Sequence, residues 1–366
     1  MPEASTNRRE RRGDKTAISR WYPLWWMRAV RIHCIEFGGF EMTFIERTIT
    51  RRTWARILAA AAWSGHFRPK GTAEPGAISR LTWAAAESAT SYGRDRHYRA
   101  NAQILVLSLP LVRWPNVGGG SALWHETDAP AGGTLRLLEF TGFSRPERAA
   151  GLNRLGFIRE LSRVRESGAV ESLYFGLMTA SPEETADEAR KALYPAGKEA
   201  AYTAIDGHLA RGTVETVVAH FTAPTRWSMA NRDELVARAR AALSATPPRP
   251  PEAASGGAEM RPFLHVLADA LGEPGSTDSR FAYAGRAYRL SLEKAADPKA
   301  TASFRERGLV SSLATVVRAT GKVGRETGGK ESTFRLWFEA SQPRPLPLRI
   351  EYHARAFLRL IFEVEG

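Results

Sequence analysis

The chain carries a single cysteine, Cys34, in 366 residues. It follows Arg31, Ile32 and His33, so no small-residue lipoprotein cleavage box precedes it. A chain with one thiol closes no internal disulfide and offers no cysteine metal cluster. The eight histidines fall at no recognised metal spacing, so neither a metal nor a cofactor is expected. Long apolar runs are also missing. The longest, ILVLSLPLV at 104–112, is interrupted by Ser108 and Pro110 and is about half the length a spanning helix needs. No membrane-spanning helix is therefore expected. A clustered basic stripe is absent too. Of the formal charge of +13, residues 1–73 hold 14 Lys/Arg against 6 Asp/Glu, and the remainder is evenly mixed. A nucleic-acid interface would concentrate its cations beside aromatic or helical readers, so nucleic acid is not an expected partner.

What is present is a hydrophobic fraction of 43%, enough for a sizeable core, and an N-terminus that reads as an address. Thr50-Arg51-Arg52-Thr53-Trp54-Ala55-Arg56 resembles a bacterial twin-arginine export signal. A short apolar stretch from Ile57 to Trp63 follows, with small residues around Ala60 and Ala62 where cleavage is expected. Arg51 and Arg52 are the pair the export machinery would read. About forty residues precede this motif, so Met42 is the expected start, with Met27 the other candidate. The competing reading is a surface helix with paired arginines, which would leave the protein cytoplasmic. Export to the periplasm or beyond is the expectation.

From residue 98 onward alternation dominates, the signature of strands. The residues 98–106, 121–126 and 133–140 read as strands, with Pro110, Pro115 and Gly118-Gly119-Gly120 as a loop between them. Hairpins are expected at 157–179, turning at Glu166-Ser167-Gly168, and at 198–221, turning at Asp206-Gly207 or Arg211-Gly212. Helices are expected at 181–195, 231–243 and 261–274. The first has Ser181, Pro182 and Glu184 as its start, and the second has Asn231 as cap. The third buries Phe263, Val266, Leu267, Ala270 and Leu271 and stops at Gly272. Further strands follow: a hairpin at 280–294 turning at Ala284-Gly285, then 309–326, 332–341, 346–352 and 357–365.

The expected fold is mainly β (α+β): a curved antiparallel sheet or half-barrel with two or three short covering helices. The expected organisation is a leader at 1–73, a β region with two helices at 74–244, a Pro/Gly-rich linker at 245–259 and a second β region at 260–366.

Several motifs invite chemistry. Residues 324–332, GRETGGKES, imitate a phosphate loop. Glu331 stands where the Mg²⁺-binding hydroxyl belongs, and an alternating strand follows instead of a helix, so a turn at Gly328-Gly329 is expected. Asn116 to Ser121 lacks the second glycine of a nucleophile elbow and reads as a flexible connection. The close His–carboxylate pairs on expected strands are His125 with Glu126 and Glu351 with His353. They are the weak candidates for acid–base work; a solvated surface is the simpler account. Phe334, Leu336 and Phe338 share a face, as do Ile350 and Tyr352. With Trp337 they are either plain core or the lining of an apolar binding surface.

The C-terminal stretch FRLWFEASQPRPLPLRIEYHARAFLRLIFE is similar to the end of an uncharacterised family of exported bacterial proteins. Leu336-Trp337 and Pro347-Leu348-Arg349-Ile350-Glu351 carry the match, over roughly the last hundred residues. That resemblance implies a half-barrel like those of periplasmic lipoprotein carriers and no catalytic residues. It implies a non-enzymatic binding module for a lipid-like ligand or an envelope partner. A periplasmic hydrolase using a His–carboxylate pair and a structural or assembly factor of the cell envelope remain open.

Overall fold

The computed structural model describes residues 81, 83, 92–106, 109–129, 132–149, 153–165, 168–179, 199–210, 213–224, 227–249, 260–329, 331–355 and 358–365. The export motif, the expected helix at 181–195 and most of the expected linker lie outside the described residues. Residues 77–366 form one compact unit.

Among its described residues the first strands are β1 (Tyr92–Val106), β2 (Leu109–Asp128), β3 (Thr134–Ser144), β4 (Leu155–Arg165), β5 (Gly168–Thr179), β6 (Glu199–Ala210) and β7 (Thr213–Pro224). Helix α1 (Arg232–Ser244), the two-residue strand β8 (Arg261–Pro262) and helix α2 (Phe263–Gly272) come next. Then follow β9 (Thr277–Tyr283), β10 (Arg286–Ala296), helix α3 (Pro298–Glu306), β11 (Val316–Arg325), β12 (Ser332–Glu339), β13 (Arg349–Arg355) and β14 (Leu358–Val364). Among the described residues the strands make one open sheet of 14 strands, ordered β7-β6-β5-β4-β3-β2-β1-β14-β13-β12-β11-β10-β9-β8. Every neighbouring pair is antiparallel except β8 with β9, so the sheet is mixed rather than purely antiparallel. The first and last long strands, β1 and β14, pair along seven positions and join the regions on either side of 245–259 into this one sheet.

Alternation sets which face each residue takes. On one face of β4, Phe157 packs with Phe175, Tyr202 and Ala219 beneath α1, which buries Leu235, Ala239 and Leu243 at helical spacing. On the other face lies α2. Its Val266, Ala270 and Leu271 meet Phe281, Leu290, Leu292, Leu336 and Phe338. The expected apolar stripe on α2 holds in part, but His265 and Ala268 are buried as well, because strands β3 and β4 cover the helix's second side. The sheet curls far enough for β9 to reach β5. Tyr283 stacks on Tyr174 with ring centroids 6.3 Å apart, and burial pushes the Tyr174 hydroxyl up to about 12.

Two features depart from the expected elements. The expected loop through Pro110, Pro115 and Gly118–Gly120 is strand, part of β2. The prolines are tolerated because the ladder is irregular there: register shifts fall at Ile104/Leu105 and at Ala100/Ala102. Residues 115–117 stand opposite Asn101, whose side-chain oxygen accepts the Asn116 amide at 2.8 Å, and Asn116 takes a left-handed φ of 55°. The glycines are needed for space. A Cβ on Gly118 would stand 2.1 Å from the Phe143 carbonyl oxygen. Asp206-Gly207 is likewise no turn. Gly207 pairs with Tyr174 inside the sheet, where the tyrosine ring fills the missing Cβ position, and the β6–β7 ladder runs on to the pair Ala210–Thr213.

The second departure is α3, which lies between the strands expected at 280–294 and 309–326, where no element is assigned from sequence. Asp297 caps it, accepting the Ala300 amide at 2.9 Å, and Pro298 opens it. The same carboxylate accepts the Trp337 indole N–H at 3.0 Å. The Ala300 hydrogen bond is the main force holding the Asp297 carboxyl below its usual range, opposing a smaller upward push from burial. A depressed native pKa stabilises the fold above the ordinary Asp value of about 4, and this is lost as pH falls. Asp297→Ala is therefore expected to cost about 1 kcal/mol in urea unfolding at neutral pH. The gap to the parent protein closes on acidification below about pH 4; a gap constant with pH would contradict the cap.

Candidate functional site

The face of the sheet that carries α2 changes character along its strands. Nearest α2, Tyr98, Val364, Leu348 and Phe338 are buried. Two residues on, the cross-strand row Ala100–Phe362–Ile350–Leu336 is partly uncovered at Phe362 and Ile350. Two further on, the row Trp114–Ala102–Leu360–Tyr352–Phe334 crosses five strands. There Tyr352 is 40% exposed and Trp114 37% exposed, with Leu360 and Phe334 half-buried. The last row, Val112–Ile104–Leu358, has Val112 37% exposed. The apolar face is thus core at one end and an uncovered strip at the other.

The expected ligand-lining residues divide along this gradient. Leu336 and Phe338 are core, whereas Phe334, Ile350 and Tyr352 belong to the uncovered part. Trp337 faces the opposite way, where Phe304 of α3 and Val316 bury it and the Arg349 guanidinium lies 5.0 Å from its ring centre. Trp114 and Val112 were hidden by the loop reading of 110–120. The signal available was that apolar alternation runs on through Pro110.

The acid–base candidates do not assemble. His125 and Glu126 are neighbours on one strand and project from opposite faces. Glu126, 4% exposed, accepts from Trp124 Nε1 at 3.1 Å, Arg136 Nε at 2.9 Å and Arg344 Nη2 at 2.5 Å. Burial alone would raise its pKa, but these hydrogen bonds outweigh burial and hold it below the usual range. Glu351 shares a face with His353, yet it is not on a simple wet surface. It too is 4% exposed, bonded to Arg349 and within 3.6 Å of both Arg335 and Arg359. Its oxygens are engaged by these three guanidiniums and not by His353. The His353 cross-strand neighbour is Arg359.

His265 and His208 make structural contacts. His265 Nδ1 lies 3.1 Å from Glu160 Oε2, and its Nε2 donates to the Arg136 carbonyl at 3.2 Å. Glu160, 0% exposed, also accepts the first amides of α2, from Leu264 at 2.9 Å and His265 at 3.0 Å. That arrangement docks α2 on β4. His208 contacts Glu171 at 3.0 Å, where Glu171 also accepts the Leu81 amide.

One open cleft of about 480 Å³ lies at the C-terminal end of α2. Trp124, Arg136, Asp269, Glu273 and Arg344 line it. Arg136 bridges Glu126 and Asp269, and Arg261 also holds Asp269 at 2.6 Å. Arg344 lies 4.3 Å from the Tyr92 ring centre. Among the described residues no serine, threonine, cysteine or histidine lines the cleft, and Arg136, Asp269 and Arg344 are already held in ion pairs. Among the described residues, no group of three or more His, Cys, Asp or Glu is placed to hold a metal, and no helix is long and apolar enough to cross a membrane. The phosphate-loop imitation at 324–332 is the connection between β11 and β12, with Gly328 and Gly329 at φ of 87° and 128°.

No family model matches the chain. No curated protein matches it either. Among solved structures, the chain is similar to a beta-barrel-like protein of the domain of unknown function DUF1849 from Brucella abortus. The similarity covers 74% of this chain and 95% of that one, at 8% identity and a TM-score of 0.39. That likeness is remote and assigns neither a family nor a function.

Proposed function

We propose that the chain is an exported, non-enzymatic binding protein that seats an elongated, lipid-like ligand on the uncovered apolar strip. The observation that carries this reading is the gradient on the α2-bearing face. Four large apolar side chains, Trp114, Leu360, Tyr352 and Phe334, stand in one row without full cover. The row crosses five strands and so extends about 19 Å, from an interstrand spacing near 4.8 Å. A peptide that adds to a sheet lies along its edge, whereas a hydrocarbon chain can lie across the strands. The open, curved sheet and the resemblance of the C-terminal strands to carrier-like proteins agree with this role, and the twin-arginine-like motif at Arg51-Arg52 agrees with export. A hydrolase finds no support in either His–carboxylate pair.

Titration of monomeric oleate by calorimetry tests the reading. Saturable one-to-one binding with a negative heat-capacity change is expected. Tyr352→Asp places a charge in the row and is expected to weaken binding about tenfold or more. Absence of saturable heat, or equal binding by the variant, would overturn it.

A further inference from the structure

We infer that the end of the sheet at which β1, β11 and β13 finish and β2, β12 and β14 start docks on an anionic lipid bilayer. The registers bring these strand ends to one side. Val106 pairs with Leu109, Leu358 stands opposite Ile104, and Val323 pairs with Ser332. The β1–β2 hairpin is cut from ILVLSLPLV, the longest apolar stretch of the sequence. Leu105 within it is buried, yet Val112 at its end and Trp114 just beyond it are exposed by more than a third.

Cations stand beside these apolar residues. Arg113 lies between Val112 and Trp114 in sequence and projects from the other face of the same strand. Arg113, Lys322 and Arg325 are exposed and have no ion-pair partner among the described residues. Arg359 lies at this end as well, donating to Gln103 at 3.0 Å. Of the nearby carboxylates, Glu326 is held by Arg280, which leaves Glu331. The balance is positive.

A partner must satisfy both chemistries at once. Nucleic acid or an acidic protein surface offers charge but no apolar depth. A bilayer met end-on offers phosphates to the arginine and lysine side chains and an apolar layer to Val112 and Trp114. Tryptophan and basic side chains side by side suit the interface, where an apolar body and a polar tip are both satisfied.

Flotation of the full chain with vesicles of equimolar phosphatidylglycerol and phosphatidylcholine tests this. The basic N-terminal segment contributes equally to parent and variants, so the difference between them is the readout. Partition onto these vesicles, weakened by salt and absent on pure phosphatidylcholine, is expected. Each cation near an anionic surface contributes about fivefold in partition, so Arg113→Gln with Lys322→Gln should lower it about 20- to 30-fold. Arg113→Lys retains the charge and should retain binding. Val112→Ser with Trp114→Ser should lower it about tenfold with every charge intact. No partition onto the anionic vesicles, or a charge variant that binds as the parent does, would overturn the proposal. So would an apolar double variant that binds normally, which would point to a soluble polyanion. Oleate titration of the Arg113→Gln/Lys322→Gln variant reports separately on the ligand strip, because neither residue lies in its row, and it should be unchanged whichever way flotation falls.

Discussion

Glu160→Ala is expected to lower the unfolding free energy by about 3–5 kcal/mol, because three buried groups lose their acceptor at about 1–3 kcal/mol each. Glu160 is fully buried and serves three donors or partners at once: the amides of Leu264 and His265 and the His265 ring. An α-helix leaves its first amides without partners, and here a side chain from β4 supplies both acceptor atoms. Alanine strands two amides and an imidazole in a site that water does not reach. Glu160→Gln keeps the shape and one acceptor oxygen, so about half the loss is expected. The tertiary consequence is specific. Helix α2 covers the buried part of the apolar face, so its amides should lose hydrogen-exchange protection first. A Glu160→Ala protein within about 1 kcal/mol of the parent, in urea unfolding with unchanged slope, would mean that α2 is held by apolar contact alone.

Gly118→Ala carries the second large effect, a loss of about 1–3 kcal/mol or more from overpacking. The added Cβ would sit 2.1 Å from the Phe143 carbonyl oxygen. Backbone, unlike the end of a flexible side chain, cannot rotate away, so β2 and β3 must separate locally. Gly272→Ala makes the control. A Cβ there meets nothing within 4 Å, at the last residue of α2, and alanine's better helix propensity makes the change neutral or mildly stabilising. If Gly118→Ala unfolds at the same denaturant concentration as the parent, β2 does not run through the glycines as described.

Much of the strand content was legible because alternation reports directly on a sheet with two different faces. The hairpin at Ala284-Gly285 followed from its turn chemistry, and both residues adopt positive φ, 52° and 74°. Strand β2 was misread because Pro110, Pro115 and three glycines are breakers in any local rule. What admits them is the pairing with Asn101 and Phe143, which lie elsewhere in the sequence. Helix α3 carries a local signal, an Asp-Pro start at 297–298, but little apolar periodicity to mark its length. Its few buried residues include Thr301 and Phe304. Strand β8 is two residues long and has no signal of its own.

The site was less legible than the fold, for a physical reason. Phe334, Ile350 and Tyr352 were identifiable as one apolar face, but whether that face is core or open depends on where α2 ends. No residue in β12 or β13 records that. The separation of His125 from Glu126 needed only the period of a strand. The saturation of Glu351 needed the neighbouring strands, because Arg335 and Arg359 come to it from β12 and β14.

The account turns on whether the uncovered strip holds a ligand. A native mass spectrum of the chain, isolated from cells without detergent, tests this most directly. The expected result is a bound mass in the range of a lipid, released on denaturation and lost in Tyr352→Asp. A bare chain mass in the parent protein, with no oleate adduct when oleate is added back, would contradict the binding reading and leave the strip as a surface for a protein partner.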